Sequence, residues 1–169
     1  MGTGENGLLA VLAAKQEITE VLHSYARGLD RMDRGLADSV WHADGTADYG
    51  PSISGLGTEF LDYVWAFHER FECHSHLIGN VLIQVDAAGD RAVSEAYVAV
   101  WLRGRPVDGE VVDQFHRGRY VDEWSRRDGV WAIAHRTFIA DIMHEARNPA
   151  GPQTWGSRGT ADPSYRILG

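Results

Sequence analysis

His76-Leu-Ile-Gly-Asn-Val-Leu-Ile-Gln-Val85 marks the point where the periodicity of the sequence changes. Before it, apolar residues recur every three or four positions. From Ser75 onward they alternate with a period of two, the spacing of a strand. Working back, residues 5–29 read as a helix with Ile18, Val21, Leu22, Tyr25 and Leu29 on one stripe and Glu17, Glu20 and Arg27 on a wet face. Gly28 weakens its last turn. A short helix at 34–41, ended by the turn signal Ala43-Asp44-Gly45, a short strand at 47–49 and a loop at 51–57 follow. A third helix then runs from a Thr58 cap to about residue 71, with Leu61, Val64, Trp65, Phe67 and His68 on its apolar side. Working forward, Ala87-Ala-Gly-Asp90 turns the chain into a strand at 92–103, and a Pro-containing loop leads to another at 111–125. Asp128-Gly129 is a favoured two-residue hairpin turn, and a last strand covers about 130–143. Helices first, then antiparallel strands, mean an α+β domain with helices on one face of a curved sheet. Such a sheet can close as a cone over three N-terminal helices and leave an internal pocket.

With 169 residues the chain suits a single domain that buries roughly 70% of its unfolded surface. That domain is placed at residues 1–143. Residues 144–169 are rich in Gly, Pro and small polar residues, with Trp155 and Tyr165 as isolated anchors. They read as a tail: a lid, a subunit clasp or a disordered segment. Sixteen basic against 24 acidic residues leave a net charge of −8, which argues against a nucleic-acid backbone as partner. No apolar run approaches the roughly 18 residues of a membrane span. The single cysteine, Cys73, leaves no internal disulfide framework and fits a reducing compartment. The first residues, Met1-Gly-Thr-Gly-Glu-Asn6, lack the basic region of a secretory signal, so a cytoplasmic location is expected.

Asp30 lies about 80° around an ideal helix from Leu22, at the edge of the buried stripe that carries Tyr25. A carboxylate there needs a partner. Asp33 and Asp38 have more polar surroundings and read as surface or cap groups. By strict alternation His74, His76, Ile78, Asn80 and Leu82 share one strand face. Two histidines and an asparagine on an apolar face are either satisfied core residues or part of a site. In the second case Asp30 pairs with His76, fixing its tautomer and leaving the other ring nitrogen as a base. A third reading makes His74 and His76 half of a metal site completed by His116 and His135. In the last strand Arg136 is flanked by Ala132 and Ala134 on its face. It can therefore reach a cavity and clamp an oxyanion, or else pair with one of the many acids. Tyr97, Trp101, Phe115 and Phe138 are candidate pocket walls or plain core.

The motifs Tyr25-Ala-Arg-Gly-Leu-Asp30, His76-Leu-Ile-Gly-Asn80, Tyr120-Val-Asp-Glu-Trp124, Arg127-Asp-Gly-Val-Trp131 and Ile133-Ala-His-Arg136 resemble the SnoaL-like branch of the nuclear transport factor 2-like superfamily, over residues 8–143. That branch includes scytalone dehydratase, hexachlorocyclohexane dehydrochlorinase and bile acid 7α-dehydratase. The resemblance implies a cofactor-free elimination, with Asp30 and His76 as the central dyad, Tyr25 as its tyrosine and Arg136 facing substrate. His74 departs from the pattern. It joins Asn80, Tyr97, Trp101, His116 and Phe138 as the expected binding residues for a small hydrophobic, cyclic molecule. The alternatives on this scaffold are a ketosteroid-type isomerase, a polyketide cyclase, or a non-catalytic subunit like the β subunit of ring-hydroxylating dioxygenases. The resemblance also implies a homo-oligomer, a dimer or trimer paired through the outer sheet face.

Overall fold

The structure, a computed structural model, describes residues 3–152 and 156–168. Helices α1 (Thr3–Asp30), α2 (Arg34–Ser39) and α3 (Gly57–His68) lie against one curved six-stranded sheet. Its strands are β1 (Trp41–Asp48), β2 (Ser54–Leu56), β3 (Phe71–Val85), β4 (Arg91–Gly104), β5 (Glu110–Arg127) and β6 (Val130–Pro149), and the one-turn helix α4 (Tyr165–Leu168) follows. The spatial order is β2-β1-β6-β5-β4-β3. Every neighbouring pair is antiparallel except β1 and β6, which run parallel. The α+β cone with helices before sheet is thus the observed architecture. No helix among the described residues is long and apolar enough to cross a membrane.

The stripe read from α1 is the one it buries: Ile18, Leu22, Tyr25 and Leu29 enter the core. The Asp128-Gly129 hairpin forms with both residues at positive φ, and Arg127 pairs with Val130 across it. Several local expectations change: the loop expected at 51–57 holds β2, and α3 stops at His68. Ala43-Asp44-Gly45 is not a turn after a helix; α2 stops at Ser39 and β1 runs through these residues with a register shift against β6 between Trp41 and Thr46. Gly45 is needed for that closeness, since a Cβ there would stand 2.6 Å from the carbonyl oxygen of Ile133. Thr58 does not cap α3; Leu56 holds the cap position and the Glu59 carboxylate accepts its backbone N–H. The last strand continues past residue 143 to Pro149, so the boundary expected at 143 falls inside β6. Of the tail anchors, Trp155 lies outside the described residues, and Tyr165 donates its hydroxyl to Asp33. Asp33 itself caps α2 by accepting the Leu36 N–H.

One ion pair is fully enclosed. Arg136 donates Nε–H and Nη2–H to the two carboxylate oxygens of Asp122, each at 2.7 Å, and both side chains are 0% exposed. The guanidinium lies 3.9 Å from the Tyr120 ring centroid and 4.4 Å from that of Tyr25. Arg136 therefore does not reach into a cavity as its small neighbours suggested. Aromatic rings fill the space in front of it, and the acid opposite it on β5 takes its charge.

Gly28 has a reason beyond helix propensity. A Cβ there would sit 2.8 Å from the backbone nitrogen of Ala37 in α2. Gly28→Ala gains about 1 kcal/mol in propensity but overpacks the α1–α2 contact at a cost of about 1–3 kcal/mol. The expected result is a lower denaturant midpoint with an unchanged m-value. Asp122→Ala strands a buried cation and is expected to lose about 3–5 kcal/mol. The joint replacement Asp122→Leu with Arg136→Met retains most of the stability, and chemical denaturation of the two proteins checks both statements.

Candidate active site

The last turn of α1 ends where β3 passes, and this placement joins the two groups that the sequence keeps 46 positions apart. Asp30 accepts the backbone N–H of His76 at 2.9 Å on Oδ2, and Oδ1 lies 2.6 Å from the His76 ring Nδ1. A carboxylate accepts only, so Nδ1 carries a proton, and in the neutral ring Nε2 keeps its lone pair. No described residue hydrogen-bonds Nε2, and His76 lines a cavity of about 570 Å³. That volume suits a small organic ligand.

Among the described residues no Asp, Glu, Lys or Arg lines this cavity. Its walls are Leu29, Phe60, Val64, Phe67, Val100, Leu102, Tyr120 and Phe138, with Pro51, Tyr63, Ile139 and Met143 among the remaining lining residues. The polar groups are confined to three histidines, a tyrosine pair, Ser52 and the hydroxyls of Tyr63 and Tyr120. The Tyr25 and Tyr49 hydroxyls lie 3.1 Å apart. One of them donates to the other, which leaves the second proton free for a ligand. Burial raises the pKa of Tyr25 against the opposing pull of Arg136, and burial holds Tyr49 well above the ordinary tyrosine value, so both stay protonated near neutral pH. Tyr49 is in turn stacked on Phe60, with ring centroids 4.0 Å apart, and on Phe138 at 5.2 Å.

The imidazoles around His76 are held neutral. Burial, reinforced by His74 and His76, lowers His68 to about 2, and its Nδ1 is buried without a partner. Burial lowers His74 to about 4, although the Leu29 carbonyl pulls the other way. His116 is lowered by burial and by His76. His74 does not face the cavity. Its Nε2 lies 2.6 Å from the Leu29 carbonyl oxygen and its Nδ1 2.9 Å from Nη2 of Arg158. With both nitrogens engaged, His74 has none free for a metal. His135 is likewise held by Thr46 and Thr137. No three His, Cys, Asp or Glu side chains converge as a ligand set among the described residues.

Of the residues singled out in the sequence, Tyr25, His76, His116 and Phe138 border the cavity, and Asp30 stands behind His76. Four do not. Arg136 is sealed behind the tyrosines, as described above. Asn80 adopts φ 47° at a register shift between Gly79 and Leu82 and points to solvent. The bulge ends the alternation of β3, so that Val81, Ile83 and Val85 take the inner face instead. Tyr97 and Trp101 lie on the outer sheet face, because β4 turns Ala92, Ser94, Ala96, Val98, Val100 and Leu102 inward. Tyr49, Tyr120, His68 and Arg158 are the groups sequence reading passed over. The spacing Leu61, Val64, His68 on α3 does signal His68; nothing comparable signals Arg158.

The SnoaL-like domain family matches residues 10–137. Among solved structures, a candidate scytalone dehydratase from Novosphingobium aromaticivorans superposes with a TM-score of 0.71 at 19% identity, over 86% of this chain and 98% of that one. A type 2 hexachlorocyclohexane dehydrochlorinase (LinA) gives 0.70 at 19%, over 86% and 95%. The type 3 LinA of Novosphingobium barchaimii gives 0.70 at 20%, over 82% and 93%. No curated protein matches the sequence. Likeness at these identities is likeness of fold, whereas the family match spans three quarters of the chain. The chain belongs to the SnoaL-like domain family.

Proposed function

We propose that this protein is a cofactor-independent lyase, a dehydratase in the first instance, that takes a carbon-bound proton from an uncharged, hydrophobic, cyclic substrate of steroid, terpenoid or polyketide type. The reading rests on one observation: the 2.6 Å contact between Asp30 and His76 Nδ1 leaves Nε2 as the available base beside a chamber without charged walls. Nε2 removes a proton from a carbon next to an electron-withdrawing group, and Asp30 balances the imidazolium that forms. The C–H electron pair becomes the new double bond, and the leaving hydroxyl takes back the proton that Nε2 removed and departs as water, which returns the imidazole to its neutral form. If the proton instead returns to a different carbon, the same first step gives an isomerase. The free hydroxyl proton of the Tyr25–Tyr49 pair donates to the oxygen on which charge develops, an effect of about 3 kcal/mol for a good donor. Arg136 has no part in this chemistry except through the rings it supports. Membership of the SnoaL-like family supports the reading, and the names of two neighbouring structures, a dehydratase and a dehydrochlorinase, both denote eliminations.

Incubation in D2O with alicyclic β-hydroxyketones, polycyclic ketones and chlorinated cyclohexanes, followed by mass spectrometry, tests the activity. Elimination or deuterium uptake is expected for at least one class. His76→Ala and Asp30→Asn are expected to lower kcat about 10² to 10⁴-fold in proteins that remain folded by circular dichroism. Full turnover by both variants would exclude the dyad.

The buried histidines also give stability a pH dependence. His68 and His74 are protonated in the unfolded chain below about pH 6.5 but stay neutral in the folded one down to about 2 and about 4. Below pH 6.5 the unfolded state therefore binds more protons, and stability falls with falling pH until the folded values are reached. Urea unfolding is expected to show a loss on the order of 2 kcal/mol or more between pH 7 and pH 5. His68→Phe should flatten that slope.

A further inference from the structure

We infer that Arg158, carried by the segment after the sheet, is a positioning residue that acts through His74 on the Asp30–His76 pair. The inference rests on the dyad reading above. Arg158 lies outside the family match, which ends at residue 137. Its segment is seated on the end of α1 by several contacts. The Tyr165 hydroxyl donates to Asp33 at 2.6 Å, Arg27 stacks 4.4 Å from the Tyr165 ring centroid, Asp162 pairs with Arg31, and the Gly159 N–H donates to the Arg31 carbonyl. Thus seated, the segment brings Arg158 to the back of the histidine group. Its Nη2 donates to His74 Nδ1 at 2.9 Å and to the His68 carbonyl at 3.2 Å.

A guanidinium has no acceptor, so His74 Nδ1 must be the bare nitrogen and the ring proton must sit on Nε2. That proton points at the Leu29 carbonyl, 2.6 Å away. The Leu29 carbonyl and the Asp30 nitrogen and Cα share one planar peptide group. Arg158 thus selects the His74 tautomer that pins the peptide carrying Asp30. The opposite tautomer would set two lone pairs against each other across 2.6 Å. Asp30 then presents one oxygen to the His76 backbone and the other to its ring. Three hydrogen bonds of fixed direction therefore run from the C-terminal segment to the base. The middle one adds a second donor to the Leu29 carbonyl, which also accepts the Met32 N–H at 3.0 Å.

Histidine ring NMR on the full-length, ¹⁵N-labelled free protein reads each step without a substrate. The wild type is expected to show His74 as the Nε2–H tautomer and His76 as the Nδ1–H tautomer, the latter with a downfield, exchange-protected proton. Arg158→Ala is expected to mix the His74 tautomers and to remove or broaden the His76 proton while the melting temperature holds. Arg158→Lys, which keeps a cationic donor, is expected to restore both signals. An unchanged His76 proton in Arg158→Ala overturns the proposal. If Arg158→Ala unfolds, Arg158→Met decides instead, and unfolding of that variant too would show the arginine to be a structural strap and overturn it as well. Asp30→Asn separates the two readings. A His76 proton absent from the wild type, or surviving in Asp30→Asn, sinks the dyad itself. Its presence in the wild type and loss in Asp30→Asn, with no response to Arg158→Ala, sinks only the role of Arg158.

Discussion

The carboxylate of Asp30 accepts both the backbone N–H and the ring N–H of His76, so a single side chain ties the helical layer to the sheet and sets the direction of an imidazole. The two requirements reinforce each other. The backbone bond fixes the distance between α1 and β3, and at that distance the ring bond is short. A buried carboxylate without such partners would be unfavourable by several kcal/mol. The end of α1 is therefore constrained from three sides: by Asp30 on β3, by the Leu29 carbonyl on His74, and by the close approach of α2 over Gly28. The chamber opens beside this junction because α1 delivers its acid at the rim of the buried stripe and not at its centre.

Charge is handled by segregation. The fully enclosed charges, Arg136 and Asp122, pair with each other behind a screen of tyrosine rings, and Arg136 Nη1 is buried without a hydrogen-bond partner. Around His76, burial lowers the pKa values of His68, His74 and His116 and so favours their neutral forms. Among the described residues none hydrogen-bonds His76 Nε2 and no Lys or Arg lines the cavity. The aromatic stack of Tyr49, Phe60 and Phe138 is rigid and apolar, which suits a ring-shaped guest held by contact area.

The order of elements and the helix stripe were legible because burial imposes a period, and the periods of helix and strand differ. The Asp30–His76 pair was legible because acids are rare at the edge of an apolar stripe and histidines are rare on an apolar strand face. The inner wall was less so. Alternation assigns side chains to a face only while the register holds, and the bulge at Asn80 shifts it by one residue. For β4, two apolar-looking faces compete, and small residues such as Ala92 and Ala96 won the inside over Tyr97 and Trp101. Arg136 misled for a related reason: small neighbours on its own strand say nothing of the rings that α1 and β5 place in front of it. Arg158 sits among Gly, Ser and Pro with no period at all, so its contact with His74 is a purely tertiary fact.

The parallel pairing of β1 with β6 joins residues 41–48 to residues 133–137, about ninety positions downstream. During synthesis the helices and the β3–β4–β5 meander can assemble from local contacts, but β1 has no partner beyond the three-residue β2 until the last hairpin emerges. Closing so long a loop is slow compared with forming hairpins. A nascent chain therefore carries an open strand edge for most of its translation, and the wall that bears Tyr49 is the last part of the chamber to be built.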